Sequence, residues 1–264
     1  MPRFETSDGV KIFYEIHGTS GEPLLCIHPP LMGHVVFKYQ RRLADNYRVI
    51  LMDLRGHGHS SYYPEDDSLS RHVEDVRELI DHLALPKVTL IGYSAGGSIA
   101  LHFALKYTVR LSGLILSGGY PKVDTWLLKI QYQVGIWLMK RRKVRFLAQV
   151  LAWAHKVTET DQRELFRYGK RAHPNVVLNF YQNSLAFDCT DQLSKLSNVP
   201  ILVVYGMWTF HINPHHRLFK DILPHAKIAF IDRATHQLPS RFYEPFNHVI
   251  TDFLTSIRGK PSRF

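Results

Sequence analysis

Hydrophobic and polar positions alternate between two periods along the first 118 residues. Residues 10–16 alternate in the manner of an early antiparallel strand. Leu24-Leu25-Cys26-Ile27 is a short continuous apolar run ending at His28, and Arg48 to Met52 and Val88 to Ile91 form two more. Runs of this kind mark strands buried on both faces. Between them the spacing lengthens. Residues 35–45 read as a helix, and residues 71–83 place Val73, Val76, Leu79, Ile80 and Leu83 at helical spacing. Residues 97–105 carry Ile99, Ala100, Phe103 and Ala104 on one face. After the strand Leu114-Ile115-Leu116 the strand signal stops. From 119 to 186 helix formers and aromatic residues dominate, among them Trp126, Tyr132, Trp137, Phe146, Trp153, Phe166, Tyr168, Phe180, Tyr181 and Phe187. Most of these aromatics read as the packing surface of that segment. Strands return at Ile201 to Tyr205 and Ile228 to Ile231. A last helix carries Phe246, Val249, Ile250, Phe253, Leu254 and Ile257, and Lys260 to Phe264 read as a frayed tail. Strands alternating with helices predict an α/β fold with a mostly parallel sheet.

Composition narrows this picture only a little. The 264 residues are 45% hydrophobic and 21% charged, ordinary for one globular α/β domain with an insertion. No apolar stretch reaches the roughly 18 residues of a membrane span, and the N-terminus has no secretory pattern. Two cysteines make no disulfide framework. Cys26 reads as a buried small hydrophobe and Cys189 as an unpaired thiol near a loop; a cytoplasmic setting follows as the default. The net charge is +10, partly from the run Lys140-Arg141-Arg142-Lys143 with Arg145. That run is read as a solvated helix face rather than a site for acidic lipid or nucleic acid, because no nucleic-acid motif or interleaved aromatic supports the latter.

Chemistry concentrates in four places. Gly92-Tyr93-Ser94-Ala95-Gly96 is a G-x-S-x-G sequence between a strand and a helix. That context suits a sharp turn that presents a serine at the end of a strand, with glycines where the chain is tightest. His28 ends the first buried strand and is followed by Pro29-Pro30-Leu31-Met32-Gly33. Asp53-Leu54-Arg55-Gly56-His57-Gly58-His59-Ser60 follows the next strand. Ala234-Thr235-His236 follows the last one.

Together these motifs resemble the α/β-hydrolase fold family, in its capped serine hydrolase, esterase/lipase-like form. The resemblance implies a core of residues 1–118 and 187–264 with a helical cap over 119–186. It implies Ser94 as nucleophile and His236 as base, with the Ala95 N–H as one oxyanion donor. Prolines have no N–H, so Leu31 is expected to supply the second donor. His28 is expected to shape that loop, and Asp53, Arg55, Gly56 and Gly58 to be structural.

The family's acid is absent from its usual place, where this chain has Thr209. Three readings stay open. The acid comes from elsewhere, Asp124 first and Asp188 or Asp232 after it; or Ser94 and His236 work as a dyad; or Thr209 marks a disabled enzyme. The leading expectation is hydrolysis of small or medium carboxylic esters through an acyl-enzyme, on a small-molecule substrate with an apolar group. The alternative is a catalytically impaired protein used for binding or signalling, and a weaker one is a C–C hydrolase or perhydrolase. With no metal-ligand cluster, P-loop or dinucleotide glycine pattern, no metal, cofactor or nucleic-acid partner is expected.

Overall fold

The structure is a computed structural model and describes residues 2–63 and 68–258; the tail at 260–264 lies outside them. Eight strands form one sheet: β1 (Arg3–Glu5), β2 (Lys11–His17), β3 (Glu22–Ile27), β4 (Tyr47–Met52), β5 (Val88–Tyr93), β6 (Leu111–Ser117), β7 (Ile201–Gly206) and β8 (Lys227–Ile231). Their order across the sheet is β1-β2-β4-β3-β5-β6-β7-β8. β1 and β2 pair antiparallel, β2 runs antiparallel to β4, and every pairing from β4 to β8 is parallel. In β3, Leu25 and Ile27 join the core on one face while Leu24 and Cys26 join the core on the other. Both faces are covered, which is why these strands read as unbroken apolar runs.

The helices are α1 (Leu69–His82), α2 (Gly96–Lys106), α3 (Trp126–Lys140), α4 (Val144–His155), α5 (Glu159–Gly169), α6 (Pro174–Ala186), α7 (His215–Ile222), α8 (Leu238–Arg241) and α9 (Tyr243–Arg258). α1, α2 and α7 pack through Val73, Val76, Ile99, Phe103 and Phe219 on one side of the sheet. α9 packs on the other through Phe246, Ile250, Phe253 and Leu254. Ser68 caps α1, its hydroxyl accepting the Arg71 N–H at 3.1 Å, so the helix starts two residues earlier than the periodicity suggests. Both cysteines are buried and free. Among the described residues no helix is long and apolar enough to cross a membrane.

One expectation is corrected. Residues 34–45 form tight 3₁₀ turns broken at Phe37 (φ −96°, ψ 17°) instead of one α-helix. The segment buries His34, Val35, Val36 and Phe37 in succession, and four consecutive buried positions do not fit one stripe of a 3.6-residue helix. Most of the aromatics of 119–187 named above do pack, with Phe166, Tyr181 and Phe187 set partly buried against the core. Tyr132, Tyr168 and Phe180 are buried, but Trp126, Trp137, Phe146 and Trp153 are exposed. They stand on the outer stripes of α3 and α4, whose inner stripes are already filled by Leu128, Tyr132, Leu138, Ala148 and Ala152.

Candidate active site

Ligand sites in open parallel sheets sit beyond the carboxyl ends of the strands, and here the ends of β3, β5, β6 and β8 converge. β5 stops at Tyr93 and α2 begins at Gly96, so the reversal falls on Ser94, whose φ is +52°. A left-handed backbone at a non-glycine residue costs about 1–3 kcal/mol and persists only where its surroundings hold it. The Ser94 N–H donates to the Ser117 carbonyl at 2.9 Å and the Gly97 N–H donates to the Ser94 carbonyl at 2.8 Å. The flanking glycines have no room for a side chain. A Cβ at Gly92 would lie 2.8 Å from the Gly97 Cα, and one at Gly96 would lie 2.4 Å from the Ile27 carbonyl oxygen.

His236, on the turn after β8, places Nε2 2.8 Å from the Ser94 Oγ. Its ring lies against Tyr93, centroids 5.2 Å apart, and against the main chain of Gly118, where a Cβ would come within 2.5 Å of the His236 Cε1. Burial pushes the imidazole down to about 3, with His155 and His211 acting in the same direction. The ring is therefore neutral. With the Ser94 hydroxyl donating to Nε2, the ring proton resides on Nδ1. Among the described residues Nδ1 has no hydrogen-bond partner.

The turn bearing Thr209 packs directly on the histidine turn. The Trp208 N–H donates to the Ala234 carbonyl at 2.9 Å, and Gly206 lies so close that a Cβ there would meet the Thr235 carbonyl oxygen at 2.2 Å. Thr209 is buried, yet its hydroxyl also lacks a partner among the described residues. The side chain at the usual acid position thus makes no bond to His236. Nor do the alternative carboxylates. Asp124 accepts from the His215 Nε2 at 2.8 Å and pairs with Lys122 at 3.5 Å, because the chain leaving β6 carries it across to α7. Asp188 accepts the Thr190 N–H, and Asp232 accepts the Arg233 N–H, both at 2.9 Å.

The loop after β3 is braced from below. The His28 Nδ1–H donates to the Pro29 carbonyl at 2.8 Å, and its Nε2 accepts the Leu54 N–H at 3.0 Å. Leu31 has φ +70° and buries its side chain among Leu138, Met139, Val144 and Val177, while Pro29, Pro30 and Met32 line the cavity above Ser94. Among the described residues neither the Leu31 nor the Ala95 N–H has a main-chain acceptor. Asp53 accepts from the His34 N–H (2.8 Å), His34 Nδ1 (2.9 Å) and the His59 N–H (2.9 Å). Burial opposes charge on His34, but hydrogen bonds to Asp53 and Glu15 prevail and lift it to about 9. Arg55 grips Asp75 twice at 2.7 Å and Asp8 at 3.0 Å. These contacts tie loops together away from Ser94.

Two tyrosines carry contacts that the sequence did not point to. Tyr93, the variable residue before the serine, donates to the His155 Nε2 at 2.8 Å and joins the serine turn to α4. Tyr120, just past β6, lies 2.6 Å oxygen to oxygen from Tyr132. Burial pushes its phenol up to about 12, against hydrogen bonding to Tyr132 and to Ser94 itself. The only signal for Tyr120 was its place after Gly118-Gly119 at a strand end. Ser94 and His236 open into a cavity of about 470 Å³ whose walls include Leu128, Val134, Leu147, Leu151 and Tyr181.

A match to the alpha/beta hydrolase fold family spans residues 16–227. The chain belongs to that family. A putative 2-succinyl-6-hydroxy-2,4-cyclohexadiene-1-carboxylate synthase of Bacillus subtilis is 27% identical to this hydrolase, over 95% of this chain and 97% of its own. A thermophilic esterase from Thermogutta terrifontis superposes with a TM-score of 0.83 at 27% identity, over 97% of this chain and 99% of that one. A bromoperoxidase from Bacillus anthracis has a TM-score of 0.85 at 23% identity, over 96% of this chain and 100% of that one, and shares the fold.

Proposed function

We propose that this hydrolase cleaves small or medium carboxylic esters through an acyl-enzyme on Ser94. One observation carries the reading: the Ser94 Oγ, 2.8 Å from the His236 Nε2, at the floor of an apolar cavity of about 470 Å³. The likeness to the Thermogutta esterase supports the choice of substrate. Ser94 attacks the carbonyl carbon as its proton passes to Nε2, and the positive end of α2 favours the oxyanion that forms. The N–H groups of Ala95 and Leu31 are assigned to receive that oxyanion. The leaving alcohol takes the proton back from His236, and water then releases the acid by the same steps. Residues 119–186 are assigned as the cap over a core of 1–118 and 187–264, the apolar cavity wall receiving the acyl or aryl group.

The unpartnered Nδ1 of His236 and the unpartnered hydroxyl of Thr209 favour a qualified version, a Ser–His dyad of reduced power. A buried imidazolium without a carboxylate forgoes stabilisation worth about 10⁴-fold in worked triads, or about 5–6 kcal/mol. Turnover of p-nitrophenyl acetate and butyrate by the native protein and by Ser94→Ala, with fluorophosphonate labelling, tests the proposal. Slow hydrolysis lost in Ser94→Ala, with the label on Ser94, is expected. Neither hydrolysis nor labelling would leave a protein that binds without reacting.

A further inference from the structure

All four tryptophans of the chain stand in solvent. Trp126, Trp137 and Trp153 are 72%, 54% and 64% exposed, and Phe146 is 59% exposed. Trp126, Ile130, Val134 and Trp137 form one outward stripe on α3; Phe146, Val150 and Trp153 form the matching stripe on α4. Side chains three and four apart share a helix face. The Thr125 hydroxyl donates to the His211 carbonyl at 2.7 Å, which holds the start of α3 beside the turn carrying the exposed Met207, Trp208 and Phe210. Ile130, Val134 and Val150 also line the cavity above Ser94, so the cavity opens within this apolar face.

The charge on the same segment has one sign. Residues 125–158 hold seven of the chain's 33 Lys and Arg residues and none of its 23 Asp and Glu. At the α3–α4 turn Lys140, Arg141, Arg142, Lys143 and Arg145 are all exposed. Among the described residues none of the five pairs with a carboxylate, and Arg141 instead lies 5.2 Å from the Trp137 ring centroid. Elsewhere Lys38, Arg41, Arg71 and Arg77 are all ion-paired. Read along the chain, the basic run lacks interleaved aromatics; in the fold, Trp137 and Phe146 flank it.

We propose that the α3–α4 face docks on an anionic lipid bilayer, with the cavity mouth toward the lipid. Tryptophan and phenylalanine beside unpaired lysine and arginine suit the headgroup region, where ring edges meet acyl chains and cations meet lipid phosphates. A second copy of the chain fits less well, since pairing this face with itself would bring the five unpaired cations Lys140, Arg141, Arg142, Lys143 and Arg145 toward the same five on the other copy. Docking does not depend on the ester reading and stands if Ser94 proves unreactive.

The full chain is mixed with vesicles of phosphatidylcholine alone and of phosphatidylcholine with phosphatidylglycerol, then sedimented, and tryptophan emission is followed. Salt-sensitive pelleting with the anionic vesicles and a blue shift on binding are expected, with Ser94→Ala behaving like the native protein. The triple change Arg141→Glu, Arg142→Glu, Lys143→Glu should weaken pelleting about ten-fold or more at unchanged Tm. Trp137→Ala with Trp153→Ala should weaken pelleting and diminish the blue shift while leaving retention on heparin intact. The proposal is overturned by no pelleting, by pelleting without a blue shift, or by RNA binding without vesicle binding. It is equally overturned by a dimer whose emission is already blue-shifted without lipid.

Discussion

Two buried histidines, one following β3 and the other following the edge strand β8, make a controlled comparison. Burial drives both His28 and His236 down to about 3, so desolvation does not distinguish them. Hydrogen bonding does. His28 spends both ring nitrogens on the main chain, at Pro29 and Leu54. His236 spends only Nε2, on Ser94, and leaves Nδ1 with no partner among the described residues. A ring satisfied at both ends braces a loop. A ring satisfied at one end, by a serine at a strained turn, is free to take a proton, and the missing partner limits how well it holds the resulting charge.

The strongest test supplies that partner. Thr209→Asp should raise kcat/KM for p-nitrophenyl butyrate by about 10³–10⁴-fold, since a carboxylate reaches further than a threonine hydroxyl and stabilises the imidazolium. An unchanged rate would show that Nδ1 needs no acceptor and would remove the basis of the comparison. Next in size, His28→Ala should cost about 2–4 kcal/mol in urea unfolding, because it strands the Leu54 N–H and the Pro29 carbonyl. His236→Ala should cost markedly less, having only one hydrogen bond to lose. Equal losses would mean the two rings are structural alike.

Acid titration sharpens the contrast. Both rings have folded-state values below the unfolded value of about 6.5, so the unfolded chain binds more protons as pH falls from 6.5 toward 3. The stability they contribute is complete above 6.5 and is lost across that window, so Tm should fall steadily from pH 7 to pH 4. The acid limb of kcat/KM in the native protein should lie well below 6.5, and in Thr209→Asp it should move upward as the carboxylate favours the charged ring. A native limb at 6.5 or above would contradict the buried, unpartnered state of His236. The smallest effect is local. In Gly118→Ala the new Cβ would crowd the His236 Cε1 at a position with φ +57°. Stability should drop by about 1 kcal/mol and activity several-fold, leaving the His28 brace untouched; unchanged activity would show that the ring has room to shift.

Much of the fold was readable because its signals are local. The buried strands announce themselves as apolar runs, and the turn at Ser94 by two glycines whose absent side chains the packing requires. The tight turns at 34–45 were not readable, because consecutive burial there is imposed by the sheet and by α8 and α9 across the chain. Asp124 was a reasonable substitute acid by position in the sequence. Only the path of the chain from β6 to α7 turns it toward His215.

The sequence by itself determined the fold family and singled out Ser94, His236 and the unusual Thr209 as candidates, since each rests on residues within a few positions of a strand end. The tertiary structure decided what the sequence left open. It decided that Nδ1 and the Thr209 hydroxyl both go unpartnered, that Tyr93 and Tyr120 reach into the site, and that scattered aromatics and a basic run share one face. These are distances between residues far apart in the chain. Only the packed sheet and its helices bring such groups within the few ångströms over which hydrogen bonds and charges act.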